Sequence, residues 1–128
     1  MKLSANRVLA PLALAASIVG VSGVAHAASP VVEHGVLTGD HGMTLYTFDK
    51  DKAHSGKSEC NGGCAVNWPP FLASASDTAS GDYGFVMRGD GKMQWAYKGK
   101  PLYYWHKDKK PGDETGAGFK HVWRVAKG

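Results

Sequence analysis

What this sequence lacks most plainly is helical periodicity. After residue 27 no stretch of useful length repeats apolar residues at the 3.6-residue spacing of an amphipathic helix. Glycine and proline interrupt the chain every few positions, 17 and 6 times in all, which argues against a helical bundle. Cysteine is nearly absent. Cys60 and Cys64 are the only two, and none precedes them, so the cysteine that would carry a lipid anchor on an exported bacterial protein is missing. A strong excess of one charge is missing as well. The 15 basic and 11 acidic residues give +4, and two of the basic ones, Lys2 and Arg7, belong to the leader described below, so the remainder carries +2. Nucleic acid and anionic membrane therefore have little support as partners. No G-x-S-x-G is present and no Ser/His/Asp order has supporting context, so a hydrolytic activity is not expected. We expect a non-enzymatic protein.

One apolar run does exist, from Val8 to Val24, and it is broken by Pro11, Ser17, Gly20, Ser22 and Gly23. Basic residues precede it, and Ala25-His26-Ala27 follows it as an A-x-A cleavage signature. The run is short for a membrane span, and nothing later resembles one. The expectation is a signal peptide over residues 1–27, cleaved after Ala27. It would release a soluble, exported, periplasmic or extracellular domain over residues 28–128, without a lipid anchor or a transmembrane segment. Those 101 residues suffice for one modest core and one domain. Export implies an oxidising compartment, in which Cys60 and Cys64 of "CNGGC" are expected to form a disulfide. Three residues lie between them rather than the two of a redox motif, and the surroundings are glycine-rich. A structural staple is therefore favoured over thiol-disulfide chemistry.

The chain also writes one phrase twice. "LYTFDKD" at Leu45–Asp51 returns as "LYYWHKD" at Leu102–Asp108, an offset of 57 residues. Each copy follows a glycine-containing turn. "VLT" leads through "GDHG" into "MTLYTF", and "MQWAY" leads through "KGK" into "PLYYW", so both read as β-hairpins. Each is trailed by a polar loop and then a tryptophan, Trp68 in "AVNWPPF" and Trp123 in "HVWRVA". Between the units, "YGFVMR" reads as a further strand that turns through Arg88-Gly89-Asp90-Gly91. Ala65–Leu72 has room for one helical turn before Pro69-Pro70 stops it. The expected fold is all-β, a small antiparallel sandwich or barrel-like domain of two pseudo-repeated hairpin units, with about six to eight short strands.

In a strand alternate residues share a face, so Tyr46 points with Phe48, and Tyr103 with Trp105. Those rings are the natural core face, and Leu45, Thr47, Leu102 and Tyr104 point the other way. Asp51 and Asp108 close each motif where a carboxylate can organise the turn or accept a bond from a tyrosine hydroxyl. The alternative is that Tyr46, Phe48, Asp51, Tyr103, Trp105 and Asp108 converge on a ligand.

The pattern Y-x-[FWY]-x-x-D, written twice in an exported chain, resembles the bacterial secreted-repeat lipoprotein family. "GMTLYTFDKD", "CNGGCAVNWPP", "GDYGFVMRGDGKMQWAYKGKPLYYWHKDKKPGD" and "HVWRV" fit it in order, from about Val36 to Ala126. That resemblance implies a class and a location but no reaction, because the family has no known function. The expected function is an exported binding or structural module for an unknown small ligand or envelope component.

Two rivals accompany that expectation. No cofactor is predicted, but a metal ion fits the first rival, a periplasmic copper-type protein using His and Met. His34, His41, His54, His106 and His121 lie among Met43, Met87 and Met93 without H-x-x-x-H or C-x-x-C spacing. His41, His106, His121 and Met43 are the candidate ligands. The second rival is a redox role for the two cysteines. All 13 aromatic residues lie after residue 45, and Tyr83, Tyr97 and Tyr104 are candidates for exposed rings that stack on a ligand, although cross-strand aromatic packing is the favoured reading.

Overall fold

The computed structural model describes residues 29–128; the expected signal peptide and its expected cleavage after Ala27 lie outside the described residues. Seven short strands are present: β1 Val31–Glu33, β2 Val36–Thr38, β3 Tyr46–Phe48, β4 Tyr83–Met87, β5 Met93–Tyr97, β6 Lys100–Pro101 and β7 Trp123–Val125. One short helix, α1, covers Gly63–Asn67. Every pairing is antiparallel: β1 with β2, β3 with β7, and β4 with β5 and then β6. The strands do not close into a barrel. The "YGFVMR" strand stands where the sequence places it, and the helical turn starts two residues before the expected Ala65–Leu72, over Gly63–Asn67.

The two motif copies lie side by side. The Tyr46 N–H donates to Tyr103 O at 2.8 Å, and the Tyr103 N–H donates to Tyr46 O at 3.0 Å. A pseudo-twofold axis passes between them and relates one unit to the other. The Leu45 N–H donates to Leu37 O, and the Leu102 N–H donates to Trp95 O, both at 2.9 Å. These bonds carry both expected hairpins. The first is only a partial ladder, because β2 takes its regular pairing from β1, which precedes it.

The segment after each tryptophan does not return to its own unit. The Ala126 N–H donates to Leu45 O at 2.8 Å and Leu37 N–H donates to Ala126 O at 2.9 Å. On the other side Phe71 N–H donates to Leu102 O at 3.0 Å and Trp95 N–H to Phe71 O at 2.9 Å. The end of the first unit completes the second unit's hairpin, and the end of the second completes the first's. The halves are interlocked rather than stacked.

This exchange buries both faces of the motif strands. One face carries Tyr46, Phe48, Tyr103 and Trp105, which pack with Cys60, Trp68 and Trp123. The other carries Leu45 and Leu102, which pack with Leu37, Phe71, Trp95 and Ala126. On the aromatic side four rings stack in the order Phe48, Trp123, Trp68, Trp105, with centroids 4.3, 3.8 and 4.1 Å apart. Tyr46 meets Trp68 edge-on at 5.2 Å, and Tyr103 meets Trp123 edge-on at 5.1 Å. Stacked and T-shaped contacts of this kind add about 0.5–1.5 kcal/mol per pair beyond the area they bury. Tyr83, Tyr97 and Tyr104 are half-buried against the leucine cluster rather than exposed. Tyr83 and Tyr97 pack across β4 and β5 at 5.2 Å, the cross-strand packing favoured from the sequence, and Tyr104 lies 5.5 Å from Phe71. Gly39 has to be glycine, since a Cβ there would collide with the Tyr104 hydroxyl.

Candidate functional site

The repeated motif is the first candidate, and its polar groups are exchanged between units in the same way as its strands. The Tyr46 hydroxyl donates to Asp108 Oδ2 at 2.7 Å, and the Tyr103 hydroxyl donates to Asp51 Oδ2 at 2.5 Å. Each tyrosine therefore holds the aspartate of the opposite copy. The second carboxylate oxygen of each aspartate is also satisfied. Asp51 Oδ1 accepts the Glu59 N–H at 2.6 Å, and Asp108 Oδ1 accepts the Thr115 N–H at 3.0 Å and its hydroxyl at 2.6 Å. The Ser58 hydroxyl lies 2.6 Å from the Tyr103 oxygen, and the Gly116 N–H reaches the Tyr46 oxygen at 3.2 Å. Asp51 and Asp108 thus sit in two separate turns, each locked to the far unit.

All six motif residues are buried: Tyr46 and Tyr103 fully, Asp51 to 3% exposure, and Phe48, Trp105 and Asp108 to 8% or less. Burial pushes the Tyr46 and Tyr103 hydroxyls well above the usual phenol range, and hydrogen bonding to a carboxylate adds to it. Burial also raises Asp51, against the opposing pull of the bonds from Tyr103 and the Glu59 N–H. Lys100, which sequence reasoning did not single out, ties β6 to the first motif by donating to Phe48 O at 2.8 Å and Asp51 O at 2.7 Å. Ser58 and Thr115 were missed too. Their only signal is position, since the 57-residue offset pairs Ser58 with Thr115.

Cys60 and Cys64 form a disulfide that flanks the aromatic stack, with Cys60 fully buried. The second unit has no such staple. A Cβ at Gly116 would lie 2.7 Å from the Trp68 ring and 2.8 Å from Trp105. The Phe119 ring packs 4.9 Å from Trp105.

The histidines are dispersed on the surface. His34, His41, His54 and His121 all adopt positive φ between 55° and 63°, a left-handed conformation in which histidine is enriched among non-glycine residues. His106 is exposed, with Nδ1 3.1 Å from Asn67 O, and Met43 is half-buried. Among the described residues no group of three or more His, Cys, Asp or Glu side chains is arranged to hold a metal ion.

Several openings indent the surface, among them a pocket of 270 Å³ between the β1–β2 hairpin and Gly112 and Glu114. A hollow of 360 Å³ lies over β4 and β5 beside His54, Asp82 and Lys98. A groove of 240 Å³ runs past Cys64 and Phe119, with Lys50 and Lys120 beside it. A cleft of 600 Å³ separates α1 from the turn between β4 and β5. Trp68 and Trp123 line the groove but are only 2% and 3% exposed, so the ring surface it offers is mainly that of Phe119, 37% exposed.

Comparison with known families agrees with the two-unit architecture. A family model described as a secreted repeat of unknown function matches residues 33–71 and again residues 84–127. The chain belongs to that family. Its two matched stretches are the two units related by the pseudo-twofold axis. No curated protein and no solved structure matches the chain. No helix among the described residues is long and apolar enough to cross a membrane.

Proposed function

We propose that this secreted-repeat protein is an exported, non-enzymatic binding module: a rigid scaffold that holds a small ligand or envelope component on its surface without changing it chemically. One observation carries the reading. Both carboxylates and both tyrosine hydroxyls of the family motif are buried, and each is satisfied by groups of the protein itself. A motif committed in this way serves the fold, and ligand contact falls to the surface openings. The chain enters the export pathway through residues 1–27 and works in the periplasm or outside the cell, free of a lipid anchor. N-terminal sequencing of the exported protein should begin at Ala28.

The reading is tested by a thermal-shift screen of oxidised wild-type protein against sugars, amino acids, short peptides and small carboxylates, with mass spectrometry of whatever is retained. A compound that raises the melting temperature and is recovered unaltered supports a binding module. A compound recovered as a product overturns it in favour of an enzyme. Incubation with Cu(II), Cu(I) or Zn(II) followed by desalting addresses the metal-handling rival, for which stoichiometric retention is the signature. The redox rival requires a disulfide potential in the glutathione range; a structural staple lies below about −300 mV.

A further inference from the structure

The two units are nearly symmetric, so departures from symmetry mark what the scaffold does not require. One departure is the disulfide loop and α1, described above. Another is a turn. β1 and β2 are joined by two residues, His34-Gly35, whereas β4 and β5 are joined by five, Arg88–Lys92. Both departures border the same opening, the 600 Å³ cleft, which Asn61, Gly62 and Ala65 line from one side and Arg88, Asp90 and Lys92 from the other.

Arg88 lies in that cleft and is only 8% exposed. Its Nη1 donates to Gln94 Oε1 at 2.7 Å, and Nη2 donates to Cys60 O at 2.7 Å and Asn61 Oδ1 at 3.1 Å. All three acceptors are neutral. Among the described residues no carboxylate lies within ion-pair distance of it. Buried charges are ordinarily paired, because desolvation penalises them heavily. The guanidinium Nε donates to no acceptor among the described residues. It is not sealed from solvent either, since Trp95 Nε1 is the sole sealed, unpartnered side-chain nitrogen or oxygen there. On the rim, Asp90 is held by its own turn, where Oδ1 accepts the Lys92 N–H at 3.0 Å. The Asp90 and Lys92 charges offset each other, which leaves the positive charge of Arg88 uncompensated. The remaining walls are apolar: Ala65, Pro70 and Leu72, the last 37% exposed.

We propose that this cleft binds a small molecule bearing a single carboxylate on an apolar body. The carboxylate pairs with Arg88, and the body lies against Ala65, Pro70 and Leu72. A guanidinium matches a carboxylate in charge and planarity, and a cleft whose charged lining of Arg88, Lys92 and Asp90 nets a single positive charge suits a monoanion better than a phosphate. The proposal rests on the binding-module reading and supplies its ligand class.

The test is an amide-resolved NMR titration of oxidised wild-type protein with hexanoate, with 1-hexanol and inorganic phosphate as comparison probes. Hexanoate should shift the amides of Ala65, Leu72 and Gly89 saturably, and 1-hexanol and phosphate should each bind at least tenfold more weakly. Leu72→Glu places a repelling charge on an exposed wall and should weaken hexanoate at least tenfold while amide dispersion stays native. Arg88→Gln should do the same, and Leu72→Glu keeps the test sound if Arg88→Gln fails to fold. Equal binding of 1-hexanol, equal binding of phosphate, or an unaffected Leu72→Glu variant would each overturn the assignment. If hexanoate leaves these amides unmoved while another screened compound stabilises the protein, the Arg88 site falls and the module stands. If nothing in the screen binds, both fall.

Discussion

Tyr103→Phe deletes one oxygen atom at the centre of the reciprocal clasp, and its cost follows from what that atom holds. The hydroxyl donates to Asp51 at 2.5 Å and lies 2.6 Å from the Ser58 hydroxyl. Asp51 is 3% exposed, so water cannot readily replace the lost donor. Its carboxylate would keep only the Glu59 N–H among its present side-chain partners. A hydrogen bond to a charged group contributes roughly 1.5–3 kcal/mol, and a carboxylate left under-satisfied costs more still. We expect about 3 kcal/mol of destabilisation, or roughly 12–24 °C in melting temperature for a domain of this size. Tyr104→Phe is the internal control. Its hydroxyl accepts only the exposed Asp40 N–H at 2.9 Å, and its loss should cost about 1 kcal/mol or less.

The assay is urea unfolding of the oxidised proteins, with the change read from the midpoint at constant slope. A double-mutant cycle with Asp51→Asn should give a coupling of about 1–3 kcal/mol. The penalty should also depend on pH. Burial already raises the Asp51 pKa, and the Tyr103 bond pulls it down, so removing that bond raises it further. A raised carboxylate favours the protonated folded state. The Tyr103→Phe penalty should therefore be largest at neutral pH and shrink as pH falls through the raised Asp51 value toward about 4. A Tyr103→Phe protein within about 0.5 kcal/mol of wild type, as for a surface substitution, would refute the clasp.

Other consequences are equally direct. Burial raises the pKa of the Tyr46, Tyr103 and Tyr104 hydroxyls, so the stability they confer is intact below the unfolded phenol value of about 10 and is lost as pH rises beyond it. Tyrosinate absorbance and loss of structure should appear in one cooperative alkaline transition, and separate, non-cooperative ionisation would count against burial. Replacing Cys60 and Cys64 by alanine should cost about 2 kcal/mol from loop entropy in urea titrations. Residues 33–71 alone should remain unfolded by circular dichroism. Mixing them with a separate chain of residues 84–128 should restore structure, because each unit completes the other's hairpin.

The sequence made the symmetry legible, and the alternation of rings in "YTF" and "YYW" identified the aromatic face. What it could not supply was which copy serves which. An offset of 57 fits equally well with Tyr46 bonded to Asp51 or to Asp108, since a repeat aligned with itself carries no record of exchange. The burial of Leu45 and Leu102 on the opposite face went unread for the same reason, because their cover comes from the far unit's tail. Arg88 did leave a trace. Only two of the 13 basic residues after residue 27 are arginine, and both make multiple bonds: Arg88 to three neutral acceptors, and Arg124 as a fork on Asp49 at 2.7 and 2.8 Å. Scarcity of arginine in a lysine-rich chain was the available signal, and it marks positions where a planar donor is needed.

Interlocking separates stability from recognition in a way that substitution can expose. The exchanged strands, the four-ring stack and the Tyr–Asp bonds obey the twofold, so a change at Tyr46 or Trp68 should have an effect resembling that at Tyr103 or Trp123. Positions outside the twofold have no such counterpart. Leu72 and Arg88–Lys92 border a cleft built from the disulfide loop of the first unit and the β4–β5 turn of the second. Gly35 lies in the two-residue β1–β2 turn and has nothing within 4 Å of where a Cβ would stand. If recognition lies where symmetry breaks, paired substitutions at equivalent core positions should lower stability alike and leave ligand affinity per folded molecule unchanged. Substitutions in the cleft should do the reverse. A core pair whose members differ in affinity at equal stability would show that the motif itself meets the ligand.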